Sequence, residues 1–221
     1  VILHVKLKEL NKETKNYKKL SKLLIAYFKR NFKTILIPVF TYSFCKKRKI
    51  NLKTHKSETG RFSEEIRKIY KNQRTLDPIF SFIKIGAGLK LRKSINNIAF
   101  DNNSVFKKIY DKNFLIINIG LKQIVSTQFH KIEFDKKVPY RYNKIFRGTV
   151  NGKEISYKYF VRDRRYSLDR KKILKDLLKN KIVKQFKIGK LDIRYFKTKN
   201  FSKFLEKRVS KNNYYLVKKG K

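Results

Sequence analysis

One dipeptide constrains the fold more than any other feature of this sequence. Asn151-Gly152 stands between two β-prone runs, and that pair accepts the positive φ angles that both central positions of a type I′ turn require. Ile145, Phe146, Thr149 and Val150 come before it. After it, Ile155, Tyr157, Tyr159 and Val161 alternate with Glu154, Ser156, Lys158 and Phe160. A period of two, broken once at Phe160, predicts a strand with one buried face. The spacing therefore predicts a β-hairpin near 144–161. It leads straight into Arg162, Arg164 and Arg165 and then a helix that starts near Ser167 or Asp169. The stretch reads as a rigid platform that presents cations.

What such a platform faces depends on the charge of the whole chain. The 221 residues carry 59 Lys+Arg against 16 Asp+Glu, a formal net charge of +43. That much charge repels itself and weakens the isolated fold. A polyanion relieves the repulsion, and nucleic acid does so with release of condensed counterions. A lysine coat kept only for solubility is the blander explanation. A hydrophobic fraction of 41%, with 18 Phe and 13 Tyr, excludes a chain disordered throughout. No apolar run approaches the length of a membrane span, and neither a hydrophobic signal peptide nor an Arg/Ser-rich transit peptide is visible. Cys45 is the only cysteine, so no intramolecular disulfide and no cysteine zinc site can form. His4, His55 and His130 are scattered, without metal-ligand spacing.

Hydrophobic periodicity predicts a strand over 1–8, a helix over 14–31, a strand over 35–40 and a helix over 61–72. The apolar run 79–85 fits a strand or a buried helix. A helix capped by Ser104 is expected over 104–112, with strands over 114–124 and 132–138. Further on come a helix over 168–181, a strand over 186–196 interrupted by Gly189, and a helix over 200–208. This mixture is an α+β fold of helices and antiparallel strands with basic extensions. It divides into an N-terminal region over 1–100, a C-terminal region over 101–209 and a basic tail over 210–221, with a weak boundary near 93–103.

Three basic clusters are candidate nucleic-acid contacts. The acid-free loop 46–56 supplies Lys46, Lys47, Arg48, Lys49, Lys53 and Lys56 on a backbone free to follow phosphates; the alternative is a solvated charge run. Arg162, Arg164, Arg165, Arg170, Lys171 and Lys172 form the second cluster, where the planar guanidinium fork suits phosphate or base stacking. Surface pairs with Asp163 and Asp169 are the alternative. In the tail, Lys211, Tyr214 and Tyr215 could stack on unpaired bases or dock on a neighbouring protein. Gly86-Ala-Gly88 lacks the Gly-Lys-Ser/Thr ending of a phosphate loop. Glu64, Glu65 and Asp101 form no acid–base pair, and Ser126 with His130 lacks a third partner. No catalytic constellation, metal site or cofactor is expected, so the chain does not read as an enzyme.

Residue usage adds a comparison. Lys, Ile, Asn, Phe and Tyr dominate, while Ala is confined to Ala26, Ala87 and Ala99, a bias that points to an AT-rich genome. A short, very basic α+β chain with aromatic-studded ends and this usage resembles an organelle-encoded ribosomal protein of a protist mitochondrion. The resemblance rests on the three basic clusters. It implies ribosomal RNA and neighbouring ribosomal proteins as partners, no small-molecule substrate, a role in ribosome assembly and translation, and location in the mitochondrial matrix. An endonuclease or replication initiator of an organelle or plasmid is the alternative, but it needs clustered carboxylates for metal ions.

Overall fold

A computed structural model describes residues 1–10, 16–89, 91 and 97–220. The expected helix start at Thr14, part of the boundary near 93–103 and the last residue of the tail lie outside the described residues. In chain order the elements begin with β1 (Ile2–Val5), α1 (Leu7–Leu10), α2 (Tyr17–Asn31), β2 (Ile35–Pro38), α3 (Phe44–Lys47), β3 (Lys49–Ile50) and α4 (Arg61–Ile69). They continue with β4 (Phe82–Ile85), α5 (Val105–Asp111), β5 (Leu115–Ile119), α6 (Gln128–Asp135), β6 (Arg141–Val150) and β7 (Lys153–Arg162). Last come β8 (Tyr166–Leu168), α7 (Arg170–Lys179), β9 (Lys184–Ile188), β10 (Leu191–Lys197), α8 (Thr198–Lys211) and β11 (Val217–Lys219).

The α+β class stands, and its main sheet is mixed. Six strands run in the order β4-β2-β1-β5-β10-β9. β1 pairs in parallel with β2 on one side and β5 on the other, and antiparallel strands flank these three. Successive residues of a strand face opposite ways, so a strand covered on both faces is apolar at every position. β2 reads that way, and β1 does except at His4: Leu3, Ile35 and Ile37 join α2 and α4 in one core, while Ile2 and Leu36 join α5, α6 and α8 in the other. Because chain crossovers leave β1 to both sides, a ligand crevice is expected at the carboxyl ends of these strands. β2 there runs on to Tyr42, and β5 runs on to α6.

The predicted hairpin is present, with β6 and β7 paired from Arg141↔Arg162 to Val150↔Lys153. Asn151 and Gly152 hold φ angles of 52° and 81°, as a type I′ turn needs. Ser104 caps α5 by accepting from Lys107 N, and the ambiguous run 79–85 contains β4. Four expectations are corrected. The stretch expected as a strand over 132–138 is largely helical, because Gln128, Phe129, Ile132 and Glu133 recur at helical spacing and are all buried in α6. The strand expected over 186–196 is a hairpin of β9 and β10 turning at Gly189, whose φ is 56°. The tail is not a free basic extension: Tyr215, Leu216 and Val217 are buried, and β11 pairs with β8. Loop 46–56 is likewise partly ordered, with β3 running parallel to the end of β6.

Candidate functional site

After β5 the chain reaches α6 through a segment that is tied down at several points. The Asn118 side chain donates to Val125 O at 3.0 Å and accepts from Val125 N at 2.7 Å. Arg194 Nη1 donates to Leu121 O and Arg170 Nη1 donates to Ile124 O, each at 2.6 Å. Gln128 Nε2 then anchors the start of α6 on Phe106 O at 3.2 Å. On this braced helix His130 and Glu133 stand three residues apart, a spacing that brings side chains together on one helix face.

Glu133 is fully buried. Arg162 Nη2 donates to its two carboxylate oxygens at 2.8 and 3.1 Å. Arg141 Nη2 lies 2.5 Å from Oε2. Burial alone pushes this carboxyl up, but the bond to His130 and the charges of Arg141 and Arg162 outweigh it and hold the group at about 2. His130 Nδ1 lies between two partners, Arg141 Nη2 at 2.7 Å and Glu133 Oε2 at 3.4 Å. Burial, reinforced by the Arg141 charge, lowers this imidazole to about 4, so it is neutral near pH 7. A proton on Nδ1 donates to Glu133 and leaves Nε2 as an acceptor. Arg141 can only donate, so at 2.7 Å it makes Nδ1 an acceptor and places the ring proton of the resting state on Nε2. Among the described residues Nε2 makes no hydrogen bond and is not sealed from solvent, and the side chain keeps 23% of its exposure.

Aromatic rings shape the surroundings. Phe80 and Phe100 lie 5.3 and 5.8 Å from the His130 ring, and Tyr42 meets the other side of Phe80 edge-on. Asp77 sets the backbone under Phe80. Its Oδ1 accepts from Ile79 N at 2.8 Å, Phe80 N at 2.7 Å and the Tyr159 hydroxyl at 2.7 Å, and burial raises its carboxyl. Arg170 completes the group. It lies over Phe129, near enough to Tyr42, Arg162 and Glu133 for their charges to act on it. Apart from the bond to Ile124 O, its nitrogens make no hydrogen bond among the described residues and are not sealed from solvent.

The structure separates the three expected clusters. Lys46, Lys47, Lys49, Lys53 and Lys56 are exposed on α3, β3 and the loop after them, while Arg48 turns onto the Phe146 ring at 4.6 Å. Arg162 and Arg170 are drawn into the His130 group. Arg165 pairs with Asp163 at 2.7 Å. Arg164, Lys171 and Lys172 are exposed, with Lys172 over the Tyr215 ring. Lys211 is exposed at the end of α8. Tyr214, exposed, packs with the rings of Tyr140 and Tyr166, and the Tyr215 hydroxyl donates to Asp176 at 2.6 Å. The sequence reading left out Glu133, Arg141, Asp77 and Tyr159, and it left His130 without partners. A strand over 132–138 conceals the His130-x-x-Glu133 spacing, because residues three apart on a strand face opposite ways.

The two concavities described elsewhere carry no comparable chemistry. One, of about 360 Å³, lies between α2 and α4 and includes Ile25, Ile66 and Tyr70. The other, of about 260 Å³, lies beside Val1 and includes Lys33, Lys112 and Lys197. Among the described residues no group of His, Cys, Asp and Glu could hold a metal ion, and no helix is long and apolar enough to cross a membrane.

Comparison with known proteins bears on the site. The sequence profile of the aminoglycoside 3-N-acetyltransferase family matches residues 2–210. A histidine-to-alanine variant of aminoglycoside acetyltransferase AAC(3)-IVa in complex with apramycin superposes with a TM-score of 0.72 at 15% identity, covering 97% of this chain and 86% of that one. The YokD protein from Bacillus subtilis gives 0.71 at 16% identity, covering 96% and 87%. The binary complex of AAC-IIIb with CoASH gives 0.70 at 13% identity, covering 95% and 89%. No curated protein matches the chain in sequence. These findings overturn the ribosomal reading: the match is to an enzyme family and not to a structural constituent of the ribosome. Ribosomal RNA and ribosomal proteins as partners, the mitochondrial location and the absence of a small-molecule substrate rested on that reading and fall with it. The alternative of an endonuclease or replication initiator finds no support either.

Proposed function

The chain belongs to the aminoglycoside 3-N-acetyltransferase family, and on that premise we propose that it is an N-acetyltransferase whose His130 takes the proton shed by a primary amine. The observation that carries this reading is the half-buried His130 beside the buried Glu133, with an open Nε2. Base action at Nε2 needs the proton on Nδ1, so Arg141 must withdraw its donor from Nδ1 and keep only Glu133, which then accepts from the imidazole. Once Nε2 has accepted a proton, the ring is a cation, and the adjacent Glu133 carboxylate compensates it. A positioned base of this kind contributes roughly 10²–10⁴-fold to a rate. Arg141 and Arg162 hold the carboxylate in place. Phe80 and Phe100 fix the plane of the imidazole and exclude water from its faces.

An acetyl thioester of coenzyme A, when bound, supplies the activated acetyl group. Its phosphates need cations free of ion pairs, and Lys46, Lys47, Arg164, Lys171 and Lys172 are exposed and make no ion pair among the described residues. They would hold its phosphates by charge. The test is release of free thiol from acetyl-CoA in the presence of a panel of amines, for the wild type and for His130→Ala. The wild type should release thiol in an amine-dependent manner, and the variant should lose this by 10²-fold or more with CoA binding retained. A wild type that releases no thiol with any amine, or a variant as active as the wild type, overturns the reading.

A further inference from the structure

Nδ1 of His130 has two rival partners, and they demand opposite tautomers. Arg141 Nη2 stands 2.7 Å away and can only donate, so a nitrogen bonded to it must accept. Glu133 Oε2 stands 3.4 Å away and, ionised, can only accept, so a nitrogen bonded to it must carry the proton. A neutral imidazole holds one proton, and the bond made by one nitrogen decides what the other can do. The shorter contact belongs to Arg141. The difference matters at the reacting nitrogen, because a substrate amine needs its lone pair for attack on the acetyl carbon. An Nε2–H group donates to that lone pair and ties it up. An unprotonated Nε2 accepts an amine N–H instead and leaves the pair free.

Arg141 can change partners without leaving the group. It is the first residue of β6, and its Nη1 donates to Phe160 O on the facing strand. Its Nη2 also lies 2.5 Å from Glu133 Oε2. Each terminal nitrogen of a guanidinium carries two hydrogens, so Nη2 can drop Nδ1 and keep the carboxylate. Glu133 holds Arg162 in both arrangements. Arg141 Nε is buried and makes no hydrogen bond among the described residues. A buried donor without a partner is rare and marks a fork that is not fully satisfied where it rests.

We infer that Arg141 is a positioning residue that latches His130: its donor holds the imidazole in the tautomer with the proton on Nε2, and the base forms only when that donor leaves Nδ1. The exchange conserves protons. Nε2 gives one to solvent, Nδ1 takes one up, and Nδ1–H then donates to Glu133 Oε2. The consequence for acetyl transfer rests on the acetyltransferase reading; the tautomer itself does not.

Long-range proton–nitrogen correlation spectra of protein with nitrogen-15-labelled histidine, at pH 7 and without substrate, read which ring nitrogen carries the proton. The signals lost in His130→Gln assign His130 among the three histidines. The wild type should show Nε2 protonated and Nδ1 bare. Arg141→Met removes the donor, leaves Glu133 paired with Arg162, and should reverse the two. The charged groups acting on this imidazole are Arg141, Glu133 and Arg162, and loss of the Arg141 cation should also move its titration to higher pH. Tyr140→Phe removes another buried polar group that feels the Glu133 charge, and it should leave the tautomer unchanged. A wild type with Nδ1 protonated overturns the inference, even if Arg141→Met does not fold. So does an Arg141→Met variant that keeps the wild-type tautomer, or a Tyr140→Phe variant that reverses it equally. The spectra need no turnover. A protein that shows the Arg141-dependent reversal but releases no thiol from acetyl-CoA with any amine would strike the acetyltransferase reading and leave the latch standing.

Discussion

Glu133 is the residue on which the site depends, because it holds two guanidinium charges that the interior would otherwise reject, beside a neutral histidine. Removing one partner of a buried charged group leaves the others unpaired, at a cost of about 3–5 kcal/mol. Glu133→Gln should accordingly lower the unfolding free energy by that order, measured by urea titration at pH 7. His130 adds a pH dependence with a definite sign. Its imidazole sits at about 4 in the folded chain against an ordinary 6.5. As pH falls from 6.5 toward 4, the unfolded chain binds a proton that the folded chain does not, so stability is lost across that window. Glu133, at about 2 against an ordinary 4.5, extends the loss through the interval below. Urea midpoints between pH 7 and pH 4 should fall steadily for the wild type and less steeply for His130→Gln. Equal slopes would mean that His130 is not held neutral by the fold.

At the scale of elements, the β6–β7 hairpin contains two glycines with different physical roles. Gly152 needs its turn conformation, φ of 81°, but a Cβ there would meet nothing within 4 Å. Gly148 lies where β3 approaches, and a Cβ there would stand 2.1 Å from the Arg48 carbonyl oxygen. Gly152→Ala should cost about 1–2 kcal/mol from the left-handed conformation alone. Gly152→Val adds a β-branched side chain that resists positive φ further. Gly148→Ala cannot be accommodated unless β3 moves away from β6, so it should cost more than Gly152→Ala and expose loop 46–56 to proteolysis. Thermal melts of the two alanine variants, with limited trypsin digestion, make the comparison; equal stability with an unchanged digestion pattern would deny the close approach its role. The turn glycine was legible in the sequence because Asn-Gly carries its conformation locally. The packing glycine was not, since its constraint comes from a strand about a hundred positions earlier in the chain, Arg48 against Gly148.

At the scale of the whole molecule, the net charge of +43 acts on stability through self-repulsion. Raising the salt screens exposed charges over a Debye length of about 10 Å at 0.1 M. The melting temperature should therefore rise between low salt and about 0.3 M sodium chloride, most steeply at the low end where the Debye length changes fastest. Calorimetric scans across that range test this, and a flat or falling profile would show that the charges are placed too far apart to repel. The same charge explains why the sequence pointed to nucleic acid. Excess cations favour anions in general, and a count of them does not distinguish a long polyanion from a small phosphate.

The sequence by itself determined the α+β class, the β6–β7 hairpin with its turn, the Ser104 cap and the basic character of the surface. Each of these rests on local rules: alternation, capping chemistry, turn conformation and charge. Tertiary structure decided the site. His130 and Glu133 share a helix, but Arg141 and Arg162 reach them from the paired ends of the hairpin, Arg170 from the start of α7, and Phe80 from the approach to β4. Burial then turns an ordinary carboxylate, imidazole and guanidinium into a linked charged group with one open nitrogen. Neither burial nor contacts between distant segments are written in the local pattern, because both arise only when the sheet brings the carboxyl ends of its strands together.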